Sequence, residues 1–338
     1  MNRITWIDNL RGLSILAVIF LHCTIAVNNN AGHFTLMSSL VNEALAPIRL
    51  GLMFFVSGLF VEAGLSKGRR VFIENKVKSI LYPFAIWVII YAGLKIVFSS
   101  MSNTPQSPAN ILLMHLTGGG DITWFLHSLF LFFIVILAVR RLPFYLVFFS
   151  CMIASATLPA IPDNTLFSSF DNHHINKSLY LFVFFYLGDL LVRMKVDIPQ
   201  LVNKTGVLMV SLLSFVLLFC LNMMMTQHLP QPLLSPLALL SIPLFIWIAL
   251  HLKMSMAYYV GVNSIVFFLS HYLAIQFFAK LVKFGGTSLW VNDVKFLLAF
   301  VFALSLPWAL CLLRERGMFN FLFTLKKPRK TPATQPLG

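Results

Sequence analysis

The chain has 338 residues, 59% of them hydrophobic and only 11% charged, with a formal net charge of +14 and a mean hydropathy of +0.85. Soluble domains carry about 25% charged residues, so this composition excludes an ordinary soluble domain and indicates an all-α polytopic membrane protein folded as one bundle. The positive charge does not indicate nucleic acid, because the basic residues stand in short clusters between apolar segments, as the positive-inside rule produces.

Apolar windows of about 20 residues can cross a bilayer. Ten are read along the chain, near 10–27, 47–65, 79–98, 122–139, 142–160, 178–193, 206–225, 233–250, 257–278 and 294–313. They predict a single membrane domain over 1–324 and a basic, disordered tail over 325–338 that is drawn to anionic lipid. The sixth and eighth windows are short enough to be broken or tilted.

Placing the N-terminus in the cytoplasm puts most of the 25 lysines and arginines on the inner side, including Arg314 and Arg316 after the last window. Both termini are then cytoplasmic. The outer connections 28–46 and 99–121 contain no lysine or arginine, and 161–177 holds Asp163, Asp171, His173 and His174. They read either as solvated connectors or as an entrance for a polar substrate.

In the first segment, Asp8, Arg11 and His22 fall on one stripe. Eleven residues make three helical turns plus roughly 20°, so Arg11 and His22 share a face about 16 Å apart along the axis. Ionisable groups are costly in a bilayer, and a chain that aligns them usually uses them. An imidazole can take a proton from a hydroxyl and return it. Arg11 suits a phosphate or serves as an interfacial anchor, and Asp8 can pair with it. Asp8 also argues against reading this segment as a cleaved signal peptide.

In the second segment, Ser57-Gly58 allows another helix backbone to come close, and Glu62 can pair with the lysines that follow. Lys67, Arg69, Arg70, Lys76 and Lys78 form a dense basic run. That run either grips the phosphates of a nucleotide-containing donor or marks topology and touches lipid. Trp124 opens the fourth window as a belt residue or as a face that stacks on a sugar ring. His271 sits well inside the ninth window as a ligand-shaping or hydrogen-bonded buried group. Cys23, Cys151, Cys220 and Cys311 lie in or beside apolar stretches with no CxxC spacing, so no metal site is predicted.

Several of these elements together resemble the acyltransferase-3 family of integral membrane acyltransferases. They are the Arg11 and His22 pair with ten residues between, Phe54-Phe55-Val56-Ser57-Gly58, Thr123-Trp124-Phe125-Leu126, Phe185-Tyr186-Leu187-Gly188 and the stretch from Gly261 to His271. The resemblance implies ten membrane helices and an acyl-CoA donor, usually acetyl-CoA, arriving from the cytoplasm. It implies a hydroxyl acceptor on an extracytoplasmic carbohydrate or lipid-linked glycan. Carried over, His22 is the catalytic histidine and Arg11 its paired residue. Where the family often has Arg-x-x-Arg before the third helix, this chain has Lys76-Val77-Lys78-Ser79, and lysine lacks the planar fork that holds a pyrophosphate in two bonds. The chain stops soon after its tenth window, so no fused extracytoplasmic hydrolase-like domain is expected in it.

The expected activity is O-acyl transfer, the transferred group not being an aminoacyl group. Arg11, Arg69, Arg70, Lys76 and Lys78 hold the donor, His22 with Arg11 and Asp8 carries the chemistry, and Trp124 and His271 shape the acceptor site. A transporter or flippase for a polar solute or lipid-linked glycan is the alternative.

Overall fold

The computed structural model describes residues 4–31, 36–98, 107–117, 120, 122–158, 172–224, 231–252, 254–281 and 288–325. The expected tail from 326 onward, Asp163 and Asp171 lie outside the described residues. Every regular element among the described residues is helical.

The first helix, Thr5–Ala31, is the axis of the bundle. It packs against Arg49–Gly58, Gln231–His251, both halves of the segment around Asn263, and the last helix, Leu289–Glu315. Its polar groups therefore meet protein instead of lipid, which is what makes them tolerable. Asn9 donates from Nδ2 to the Ala249 carbonyl at 2.9 Å.

Two glycine pairs set how tightly the helices close. A Cβ on Gly12 would run into the Ala257 carbonyl, and one on Gly261 into the Asp8 carbonyl. In the same way Gly58 faces the Phe185 carbonyl and Gly188 faces the Phe55 carbonyl. The close approach expected at Ser57-Gly58 is present, with Phe185–Gly188 as its partner surface.

Six helices among the described residues are long and apolar enough to cross a membrane, or seven if one bent pair counts as a span. This is fewer than the ten windows expected, in part because two of the helices are short. Trp124–Val139 has 16 residues and Phe144–Thr157 has 14. At 1.5 Å per residue they reach about 24 and 21 Å, short of a hydrocarbon core of about 30 Å. Asn172–Arg193 carries the sixth window as one helix of 22 residues.

The broken span is also not where sequence suggested. Residues 172–193 and 231–251 are continuous helices. The break falls in the ninth window, where Ser255–Val262 and the helix beginning at Ser264 meet at 95°. At the corner Asn263 Nδ2 donates to the Tyr259 carbonyl at 3.2 Å, alongside the bond its own N–H makes to the same oxygen at 3.1 Å.

The third span runs from Arg69 to Val97 through a π-turn at Val77–Leu81. Tyr82 N–H reaches the Val77 carbonyl in the wider π pattern. The next bond in that pattern, from residue 83 to the Lys78 carbonyl, cannot form because residue 83 is proline. Leu325 N–H fills the position instead, 3.2 Å from Lys78 O.

Glu62 pairs with Arg140 and not with the lysines that follow it. Arg140 also bonds Asp189, whose side chain is fully buried and accepts from Arg193 Nε at 2.9 Å. Burial alone would lower the Arg140 guanidinium, but the hydrogen bonds and charges of Asp189 and Glu62 outweigh it and hold the group above its ordinary value. Tyr186 OH donates to the carbonyls of Arg140 and Leu142. This cluster ties three separate helical segments together at one end of the bundle.

Candidate active site

A cavity of about 870 Å³ opens among the first, second, third and last long helices, the helix Trp124–Val139 and the helix that follows Asn263. The volume lies within the range of small-molecule sites, roughly 300–1,000 Å³. Three cations line it, Arg11, Lys76 and Arg314, along with the polar side chains of Ser57, Ser79, Ser264, Asn320 and Thr324. Among the described lining residues none is acidic. The remaining wall is apolar, with Ile15, Met53, Phe125, Leu129, Phe133 and Phe268 prominent. Such a space suits a ligand with an anionic end and a flexible, less polar arm.

Arg11 is held from three sides. Its Nη1 lies 3.3 Å from Asp8 Oδ1 and 3.5 Å from the Gly261 carbonyl, and the guanidinium stands 5.1 Å from the Phe60 ring centroid. The Gly12–Gly261 contact brings that carbonyl within reach. Lys76 Nζ sits 3.5 Å above the Phe133 ring centroid and 5.2 Å from that of Phe72, a cation–π seat that fixes a flexible side chain.

His22 does not line this cavity. Its ring lies 5.4 Å from that of His271 and 5.2 Å from that of Tyr272. Tyr91 OH, next to Tyr272, donates to the Leu269 carbonyl at 2.7 Å. His271 is fully buried. Its Nδ1 bonds the Phe267 carbonyl at 2.9 Å, while Nε2 has no hydrogen-bond partner among the described residues. A ring nitrogen in that position suits a polar group brought by a ligand.

Phe268 joins the two places. It lines the cavity, packs 4.8 Å from Phe125 and lies 6.1 Å from His271. Trp124 is buried and meets the Phe125 ring edge to face, centroids 6.4 Å apart. Phe125 and Phe268, both in the cavity wall, thus contact Trp124 and His271 respectively, and His22 lies against His271.

The remaining basic candidates lie elsewhere. Arg70 is exposed and pairs with Glu74 at 3.1 Å. Arg69 lines a separate cavity of about 350 Å³ with Arg140 and Arg141. Lys78 is half-buried and does not line the large cavity. Of the predicted basic run, Lys76 alone enters it. Among the described residues no group of three or more His, Cys, Asp or Glu side chains is arranged to hold a metal.

Sequence reasoning missed Arg314, Asn320 and Thr324 as cavity residues. Arg314 at the end of an apolar helix looks like any topology signal, and Gly317 marks where the helix stops without indicating where the chain goes next.

Residues 4–312 match the family model described as an acyltransferase domain, Acyl_transf_3. The chain belongs to the acyltransferase-3 family. As a member it is a membrane acyltransferase with an all-α, polytopic fold. No curated protein and no solved structure matches the chain.

Proposed function

We propose that the chain is an O-acyltransferase of a bacterial-type inner membrane. It moves an acyl group, an acetyl group in the simplest case, from CoA to a hydroxyl of a carbohydrate or lipid-linked glycan. The observation that carries this reading is a cavity lined by three cations whose wall includes Phe268, a ring in contact with His271, which in turn lies against His22.

In this reading both termini are cytoplasmic, and 172–193 with the short helices 124–139 and 144–157 completes ten spans, the bilayer thinning locally around the short pair. The donor enters from the cytoplasm. Arg11 and Lys76 neutralise its phosphates, and Asp8 orients Arg11. Arg69, Arg70 and Lys78 add a positive field that draws the polyanion toward the mouth. The thioester arm runs along the apolar wall toward Phe125 and Phe268.

The acceptor hydroxyl reaches His22 from the other side of the membrane, with Trp124 and His271 shaping its site. Its oxygen attacks the thioester carbonyl, the new C–O ester bond forms and the C–S bond breaks. His22 takes the hydroxyl proton and passes it to the departing thiolate, so free CoA thiol leaves. The test is acyl transfer from labelled acetyl-CoA to envelope glycans by the purified protein. Full transfer by a His22→Ala variant overturns the mechanism.

The 95° break in a span is a feature that transporters share, and it favours one other reading, a transporter or flippase for a polar solute or lipid-linked glycan. Uptake into proteoliposomes that is independent of acetyl-CoA supports that reading instead.

A further inference from the structure

The segment after the last helix is built to return. Met318 N–H bonds the Leu313 carbonyl at 3.0 Å and Gly317 N–H the Arg314 carbonyl at 2.9 Å, with Gly317 at φ 85°. This is the Schellman pattern that ends a helix on a left-handed glycine. Phe319, at φ 57°, turns the chain a second time. The return is then anchored to the third span at two points. Trp87 Nε1 donates to the Leu322 carbonyl at 2.9 Å, and Leu325 N–H serves the Lys78 carbonyl that Pro83 cannot. Phe323 is buried against Trp87, ring centroids 5.7 Å apart.

The consequence is a third cation in the cavity. Asn320 on the returned segment accepts from Arg314 Nε at 3.0 Å through Oδ1, and both residues line the cavity with Arg11 and Lys76. Thr324, from the same segment, lines it too. The bond to Asn320 occupies Nε, so binding an anion falls to the terminal guanidinium nitrogens, in the forked geometry that matches a phosphate. Lys76 is a point charge and supplies no fork. All of these residues, Arg314 to Leu325, lie beyond the 4–312 match to the family model.

From this geometry we infer that Arg314 is a donor-binding residue that grips a phosphate of the acyl-CoA, and that Asn320 is its positioning residue, held in place by the docked segment Gly317–Leu325. The inference rests on the acyl-CoA reading above. It assigns to the C-terminal return the forked recognition that the Lys76–Ser79 stretch lacks.

The test is equilibrium binding of CoA and of pantetheine, which has no phosphate, to the full-length protein in nanodiscs. In wild type, CoA binds more tightly than pantetheine. Arg314→Ala weakens CoA at least about tenfold and leaves the pantetheine dissociation constant unchanged, since charge-assisted hydrogen bonds are the stronger ones. Arg314→Lys recovers part of the loss. Asn320→Ala keeps the charge and weakens CoA by roughly threefold, and this variant decides the matter if Arg314→Ala does not fold. Unchanged CoA binding in Arg314→Ala overturns the inference, as does an equal loss of both ligands, which marks a structural role alone. If wild type does not discriminate CoA from pantetheine, the donor reading fails and the inference with it, and that outcome is visible before any variant is made.

Discussion

Two apolar helices of similar composition have opposite fates in this molecule. Thr205–Met224 is the more apolar of the pair, yet only 17% of its membrane-length window is buried within the protein. The first helix has 61% of its window buried, although it carries Asp8, Asn9, Arg11 and His22. Apolarity brought both into the membrane. The polar stripe decided which one became the centre, because those groups need protein partners that lipid cannot supply. Asn9 finds the Ala249 carbonyl, Arg11 finds Asp8 and the Gly261 carbonyl, and His22 packs against His271 and Tyr272.

If the central helix carries chemistry and the peripheral one only fills the membrane, substitutions should separate them sharply. The largest effect is expected at His22: His22→Ala lowers kcat for acyl transfer by about 10²–10⁴, the usual contribution of general acid–base catalysis, with donor binding retained. Asp189→Asn strips the counter-charge from Arg140 and Arg193. Breaking a buried ion pair costs about 3–5 kcal/mol, to be read as a loss of thermal stability in detergent without a change in the donor's KM at permissive temperature.

A matched pair of glycine substitutions comes next. Gly12→Ala drives a methyl into the Ala257 carbonyl and destabilises by about 1–3 kcal/mol, with KM for the donor rising as Gly261 moves away from Arg11. Gly206→Ala, at the start of Thr205–Met224, meets nothing within 4 Å and gains up to about 1 kcal/mol from helix propensity. Thermal melting of the two variants side by side measures the difference between the helices, and equal destabilisation contradicts it.

The smallest effect is at Asp8. Its pair with Arg11 is only partly screened from solvent, and pairs of that kind contribute at most about 1 kcal/mol. Asp8→Asn therefore raises KM for the donor by about fivefold or less and leaves kcat intact. A large fall in kcat would give Asp8 a place in the chemistry itself.

The stripe on the first helix was readable because helical period alone aligns residues 8, 11 and 22. Ser57-Gly58 was readable because small residues have few other uses at a helix interface. The break at Asn263 was not, because an asparagine within an apolar run is as compatible with a continuous helix as with a 95° corner. Nor was the choice of Glu62 for Arg140 over the nearer lysines, since that pairing spans 78 residues. Arg69, Arg70, Lys76 and Lys78 look alike as a basic run, and only packing against Phe72 and Phe133 picked out Lys76 for the cavity.

Local chemistry along the chain decided the solvent, the helical class and which helix carries the polar stripe, because hydropathy and helical period act over a few turns. Three-dimensional packing alone decided that Arg11, Lys76 and Arg314 share one cavity and that His22 meets His271. Those groupings depend on glycine contacts, a proline-freed carbonyl and a returning segment, whose partners lie far apart in the chain.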